Sequence, residues 1–166
     1  DGMQLWTASA QQGGRKDFAY INLGTTYWER GPQYWFMAKR HFQAAIRFSS
    51  KLAHGWCNTA QIFQNEAIVL RAEGKAEEAA ALMNEAVAYA AEGVRQAPNF
   101  AGAWDVYGRL LEAVEKIPEA KVAYEEWVAV RGRCDPKKQA VWVSDFLIEE
   151  IEHWMGLSKD PGIVWT

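Results

Sequence analysis

The residues of this chain that could do acid–base or metal chemistry are few and scattered. The one local constellation lies in IEEIEHW, where Glu150 and His153 form a Glu-x-x-His pair next to Glu149, a spacing that puts a carboxylate and an imidazole on one helix face. A di-iron helical bundle uses two such pairs with two further inward glutamates. Neither His41 nor His54 has a glutamate three positions earlier, so half of one ligand set is present, and a solvated helix face is the plainer reading. Cys57 and Cys134 are far apart and in no Cys-x-x-Cys arrangement, which indicates neither zinc nor a redox motif. There is no glycine-rich phosphate loop and no Gly-x-Ser-x-Gly. No catalytic residue, metal ligand or cofactor is expected, and the chain reads as non-enzymatic.

The elements that carry these residues belong to ordinary globular material. With 166 residues, 49% hydrophobic and 23% charged, the chain is long enough for one domain with a sizeable core. A formal net charge of -3 gives no general attraction to nucleic acid or anionic membrane. The cluster Arg131, Arg133, Lys137 and Lys138 is interrupted by Asp135 and reads as solvated helix ends. No apolar run reaches the ~18 residues of a membrane span, so no direct insertion of this segment is expected. The opening DGMQLW reads as the start of a piece cut from a longer protein, which leaves compartment and targeting open.

Helical periodicity runs throughout, and Pro32, Pro98, Pro118, Pro136 and Pro161 all suit helix boundaries. In NFAGAWDVYGRLLEAVEK, Asn99 is a plausible N-cap for a face of Phe100, Ala103, Trp104, Tyr107, Leu110, Leu111 and Val114. The spacing predicts helices near 4–12, 17–30, 35–53, 56–73, 76–97, 100–115, 118–131 and 137–155, with short loops that make neighbours antiparallel. No strand is expected.

The segment AYINLGTTYWERG places Gly24 in the middle of a helical pattern, where glycine costs about 1 kcal/mol against alanine. A second helix pressed against that face would account for it. AWDVYGRLLEAVEK repeats the arrangement around Gly108, and FQNEAIVLRAEG gives a degenerate copy around Ala67, with Glu66 where a hydrophobic residue is usual. Each small residue is followed by a second helix with its own spaced set: Ala38, Phe42, Ala45; Ala79, Met83, Ala86; and Ala120, Tyr124, Trp127. This set of residues resembles the tetratricopeptide repeat, a helix-turn-helix unit of about 34 residues. The resemblance implies an all-α, right-handed superhelix of antiparallel hairpins: a flanking helix in 1–16, about three repeats over 17–131 and a capping helix and tail in 132–166. Gly24 to Ala67 spans 43 positions and Ala67 to Gly108 spans 41, so the excess is expected as helices lengthened by one or two turns in SSKLAHGWCNTAQ and AVAYAAEGVRQAPNF.

The resemblance further implies a non-catalytic scaffold that binds a protein or peptide in a concave groove lined by the first helix of each repeat. The groove positions are then Phe18, Asn22, Thr25, Trp28 and Glu29; Gln61, Gln64, Asn65 and Arg71; and Asp105, Arg109 and Glu112. Ile21 and Ile68 occupy related positions and are expected in the core, whereas Trp28 is assigned to the groove with the core as its alternative. A subset of the family binds acidic C-termini through a carboxylate clamp. Only Asn65 matches that pattern, because Ile21, Thr25, Gly102 and Val106 stand where the other clamp residues would be. Chaperone-tail binding is therefore not expected.

Nine tryptophans mark an unusual aromatic content, and Tyr34, Trp35 and Phe36 crowd the first hairpin with Tyr27 and Trp28. Such a patch either marks an interaction site, homo-oligomerisation included, or covers the open end of the stack with the help of Trp6. YINLGTTYWERG is also similar to tetratricopeptide-bearing tails of bacterial polytopic proteins, some glycosyltransferase-like, which would tether the domain at a membrane to recruit or position a substrate protein.

Overall fold

In the computed structural model, which describes residues 16–133, the ring of Phe42 occupies the space a side chain at Gly24 would need. Six α-helices and one 3-10 turn make up the regular structure of these residues: α1 (Lys16–Glu29), the 3-10 turn (Pro32–Tyr34), α2 (Trp35–Phe48), α3 (Ala53–Ala72), α4 (Ala76–Gln96), α5 (Ala101–Ala113) and α6 (Ile117–Arg133). The expected helices at 4–12 and 137–155, with Trp6, Cys134, Glu150 and His153, lie outside the described residues.

The helices pair as three hairpins, α1 with α2, α3 with α4 and α5 with α6. From α1 to α4 the neighbours are antiparallel, because contact partners run in opposite directions along the chain. Tyr20 stacks on Phe48 while Trp28 meets Phe42 edge-on. Lys39 pairs with Glu66 while Ile46 lies against Gly55. Phe63 meets Tyr89 while Trp56 lies against Gly93.

Close approach inside the hairpins follows from the residues that the sequence pattern singles out. A Cβ at Gly24 would lie 2.5 Å from Phe42 Cε1, and one at Gly108 would lie 2.6 Å from Tyr124 Cε1. Real side chains do not tolerate such distances, so glycine's helix penalty is outweighed by the rings it admits. In the middle hairpin Ala67 and Met83 are both buried, a slightly larger small residue facing a flexible side chain instead of a ring. Ala38, Ala79 and Ala120 are fully buried at the matching positions of the second helices.

Two of the hairpin joints are built alike. Gly74 N donates to Arg71 O and Lys75 N to Leu70 O; Glu115 N donates to Glu112 O and Lys116 N to Leu111 O. Both are Schellman turns, and each places one residue in the left-handed region, Gly74 at φ 80° and Glu115 at φ 62°. The first joint differs, turning through Gly31 at φ 113° into the 3-10 segment.

The middle hairpin is the longest, with 20 residues in α3 and 21 in α4. Two expectations need correction. Helix α2 ends at Phe48, not 53, because Ser49 turns extended, and α3 starts at Ala53, ahead of the expected 56. The indole of Trp56 donates to Ser50 O at 2.8 Å and so fixes the intervening loop. Asn99 is not the cap of α5; Phe100 holds that position with extended backbone and without a side-chain cap bond.

Candidate binding groove

The first helices of the hairpins lie side by side, since α3 touches both α1 and α5. The expected groove residues are distributed over these three helices. At the start of these helices, Phe18 packs against His54 at 6.2 Å and His54 stacks on Phe100 at 5.0 Å, a row of rings that runs across all three hairpins. Burial lowers the His54 pKa, which favours the neutral imidazole. His54 and Phe100 were not among the expected site residues. The clue available in the chain is that both stand at helix starts, His54 inside the extra turns of α3.

Along α1, Asn22 is half-buried, and the Thr25 hydroxyl donates to Ile21 O at 2.9 Å, so its proton is used within its own helix. Trp28 is half-buried and meets Phe42 edge-on at 6.2 Å, which makes it part of the first-hairpin core as well as of the surface. Glu29 is exposed. On α3, Gln61, Gln64 and Asn65 are half-buried and Arg71 is exposed. Ile21 is in the core, but Ile68 is 57% exposed, which corrects its expected burial. It lies in the last turns of α3, where Val69, Arg71 and Ala72 are exposed too.

On α5 the charged residues are already engaged. Asp105 is only 5% exposed and accepts from Arg109 Nε at 3.1 Å, so it is a buried anchor and not an open groove acid. Glu112 accepts from the Tyr124 hydroxyl at 2.8 Å. Burial and then the Glu112 carboxylate hold the Tyr124 phenol well above its ordinary pKa. Cys57, fully buried, is pushed up to about 12 by burial and secondarily by Asp105, which makes its thiol a poor nucleophile.

The residue that departs from the repeat pattern, Glu66, has a specific role. Lys39 Nζ lies 2.7 Å from its Oε1 and 2.9 Å from its Oε2, and the same ammonium sits 4.9 Å from the Phe63 ring centre. Glu66 therefore clips α2 to α3.

The aromatic cluster of the first hairpin is not one surface. Trp35 packs against the core of that hairpin and Tyr34 lies 6.0 Å from Tyr27, both half-buried, whereas Phe36 is 64% exposed with the Arg40 guanidinium 5.8 Å from its centre. Among the described residues no group of three or more His, Cys, Asp or Glu could hold a metal ion, and no helix is long and apolar enough to cross a membrane. Comparison with protein-family models returned no match, and a search among curated proteins likewise found none.

Proposed function

We propose that the chain is a tetratricopeptide-like array that acts as a protein-interaction scaffold without catalysis and holds an extended peptide on the surface shared by α1, α3 and α5. The observation that carries this reading is the layering: α3 touches α1 and α5 directly, while α2 and α6 are set against their own first helices through the Gly24–Phe42 and Gly108–Tyr124 contacts, and α4 packs on α3. An array built that way offers one long face made only of first helices.

That face combines half-buried amides at Asn22, Gln61, Gln64 and Asn65 with an exposed aliphatic at Ile68 and an exposed cation at Arg71. Amides bond to peptide backbone, and Ile68 offers an apolar contact that is costly to leave in water. With Asp105 engaged by Arg109 within α5 and Glu112 by the Tyr124 hydroxyl of α6, the available charge on this face is mixed and modest. An extended segment with an apolar anchor and few charges is the ligand class that fits.

Selection from a random peptide library on the immobilised protein tests this. Peptides that bind the native chain should lose at least about tenfold in affinity on Gln64→Ala/Ile68→Asp/Arg71→Ala, whose melting temperature stays within a few degrees of the parent. Selected peptides that bind the triple variant equally well would refute the groove assignment.

A further inference from the structure

The second helices carry a charge pattern that the groove does not use. Helix α2 contains no aspartate or glutamate and carries Lys39, Arg40 and Arg47; helix α4 contains Glu77, Glu78, Glu85 and Glu92 against a single cation, Arg95. The two helices run parallel, because each is antiparallel to the α3 that separates them in the chain. Between them Gln43 Nε2 donates to the Tyr89 hydroxyl at 3.5 Å.

Charged residues bracket that junction on both sides. Arg40 and Arg47 stand three before and four after Gln43; Glu85 and Glu92 stand four before and three after Tyr89. With Gln43 and Tyr89 taken as level, about 1.5 Å per residue sets Arg40 near the height of Glu85 and Arg47 near that of Glu92. No ion pair among the described residues joins the two rows, and Arg40, Arg47 and Glu85 are exposed. Glu92 is half-buried and holds Arg95. Ala81 and Ala88, also exposed, keep the outer face of α4 low enough for a long side chain to cross.

We propose that this α2–α4 face is the interface of a two-fold homodimer. A half-turn about an axis lying along the seam sets the second copy's α4 over the first copy's α2 and the reverse, with heights along the helices preserved. Arg40 then meets the partner subunit's Glu85 and Arg47 meets the partner subunit's Glu92, and both contacts occur twice. The same rows set like over like only if the axis is turned across the helices, an arrangement that repulsion disfavours. The arrangement is isologous and closed, and it leaves both α1–α3–α5 faces pointing outward, free to bind independently.

The test is sedimentation of the full chain at micromolar to submillimolar concentration, with circular dichroism on every variant to report folding. The native chain is expected to dimerise, at least about tenfold more weakly at high salt. Arg40→Glu/Arg47→Glu and Glu85→Arg/Glu92→Arg should each be folded monomers, and an equimolar mixture of the two should recover a dimer, because in the mixed pair every contact is again between opposite charges. A native chain that stays monomeric overturns the proposal and leaves this face to a different partner. So does a folded variant that still dimerises, or a mixture of the two that remains monomeric.

Discussion

Glu115 holds in the α5–α6 joint the left-handed position that Gly74 holds in the α3–α4 joint, with the same pair of backbone hydrogen bonds closing each turn. The geometry is shared but the cost is not, since a residue with a Cβ loses roughly 1–2 kcal/mol in this region. Glu115→Gly should stabilise the protein by about 1 kcal/mol, less what glycine gains in the unfolded chain, and raise the melting temperature by roughly 2–6 °C. The mirror experiment is Gly74→Ala. Nothing lies within 4 Å of a Cβ built there, so its loss of about 1 kcal/mol would come from backbone strain alone. Thermal unfolding of both variants checks the pair.

Gly108 offers a choice between two effects of known size. Helix propensity favours Gly108→Ala by about 1 kcal/mol, while a Cβ 2.6 Å from the Tyr124 ring opposes it. Overpacking of this kind costs roughly 1–3 kcal/mol, so the variant should be destabilised, and Gly108→Leu more so. Shrinking the ring by Tyr124→Leu in the alanine background should recover part of the Gly108→Ala loss in a double-mutant cycle. Additive effects in that cycle would contradict the contact.

Arg109→Ala is not a silent surface change. It removes the Nε donor from an Asp105 carboxylate that is almost fully buried, while Arg109 itself is half exposed, so a loss of about 1 kcal/mol is expected in denaturant titration. A groove variant that includes Arg109 would therefore mix folding with binding, which is why Gln64, Ile68 and Arg71 are the better probes.

Two titratable groups give pH and reactivity tests. His54 has its pKa lowered by burial in the folded state, so the unfolded chain binds more protons below its ordinary value of 6.5. Stability should be complete above that pH and fall as the solution is acidified through it, and His54→Phe should flatten that part of the profile. Cys57, with its pKa near 12 and no exposure, should resist iodoacetamide until the chain unfolds. Mass spectrometry of peptide 57 under a denaturant series should show labelling that follows the global transition.

Much of the helical frame was legible because small residues in the middle of apolar helix faces have few explanations. Gly24, Ala67 and Gly108 announce close helix pairs, and the second-helix sets around Phe42, Met83 and Tyr124 name what fills the space. The length of the middle hairpin was legible too, from the 43- and 41-residue spacings between Gly24, Ala67 and Gly108. The end of α2 was not, since periodicity runs on through Leu52 and Ala53 and the break depends on the bond from Trp56 to Ser50. Burial of Asp105 was hidden for a related reason: whether an acidic residue on a first helix is open depends on how deeply α3 and α5 sit together. Ile68 is the converse, an apolar residue left outside where α3 reaches its last exposed turns.

The most direct test of the groove is an amide chemical-shift titration of the protein with a peptide obtained by the selection described above. The perturbed amides should cluster on the shared first-helix face, at Asn22, Gln64, Ile68, Arg71 and Arg109, with α2 and α4 unchanged around Arg40, Arg47 and Glu85. Perturbations confined to α2, α4 and α6, with the first helices unaffected, would contradict it.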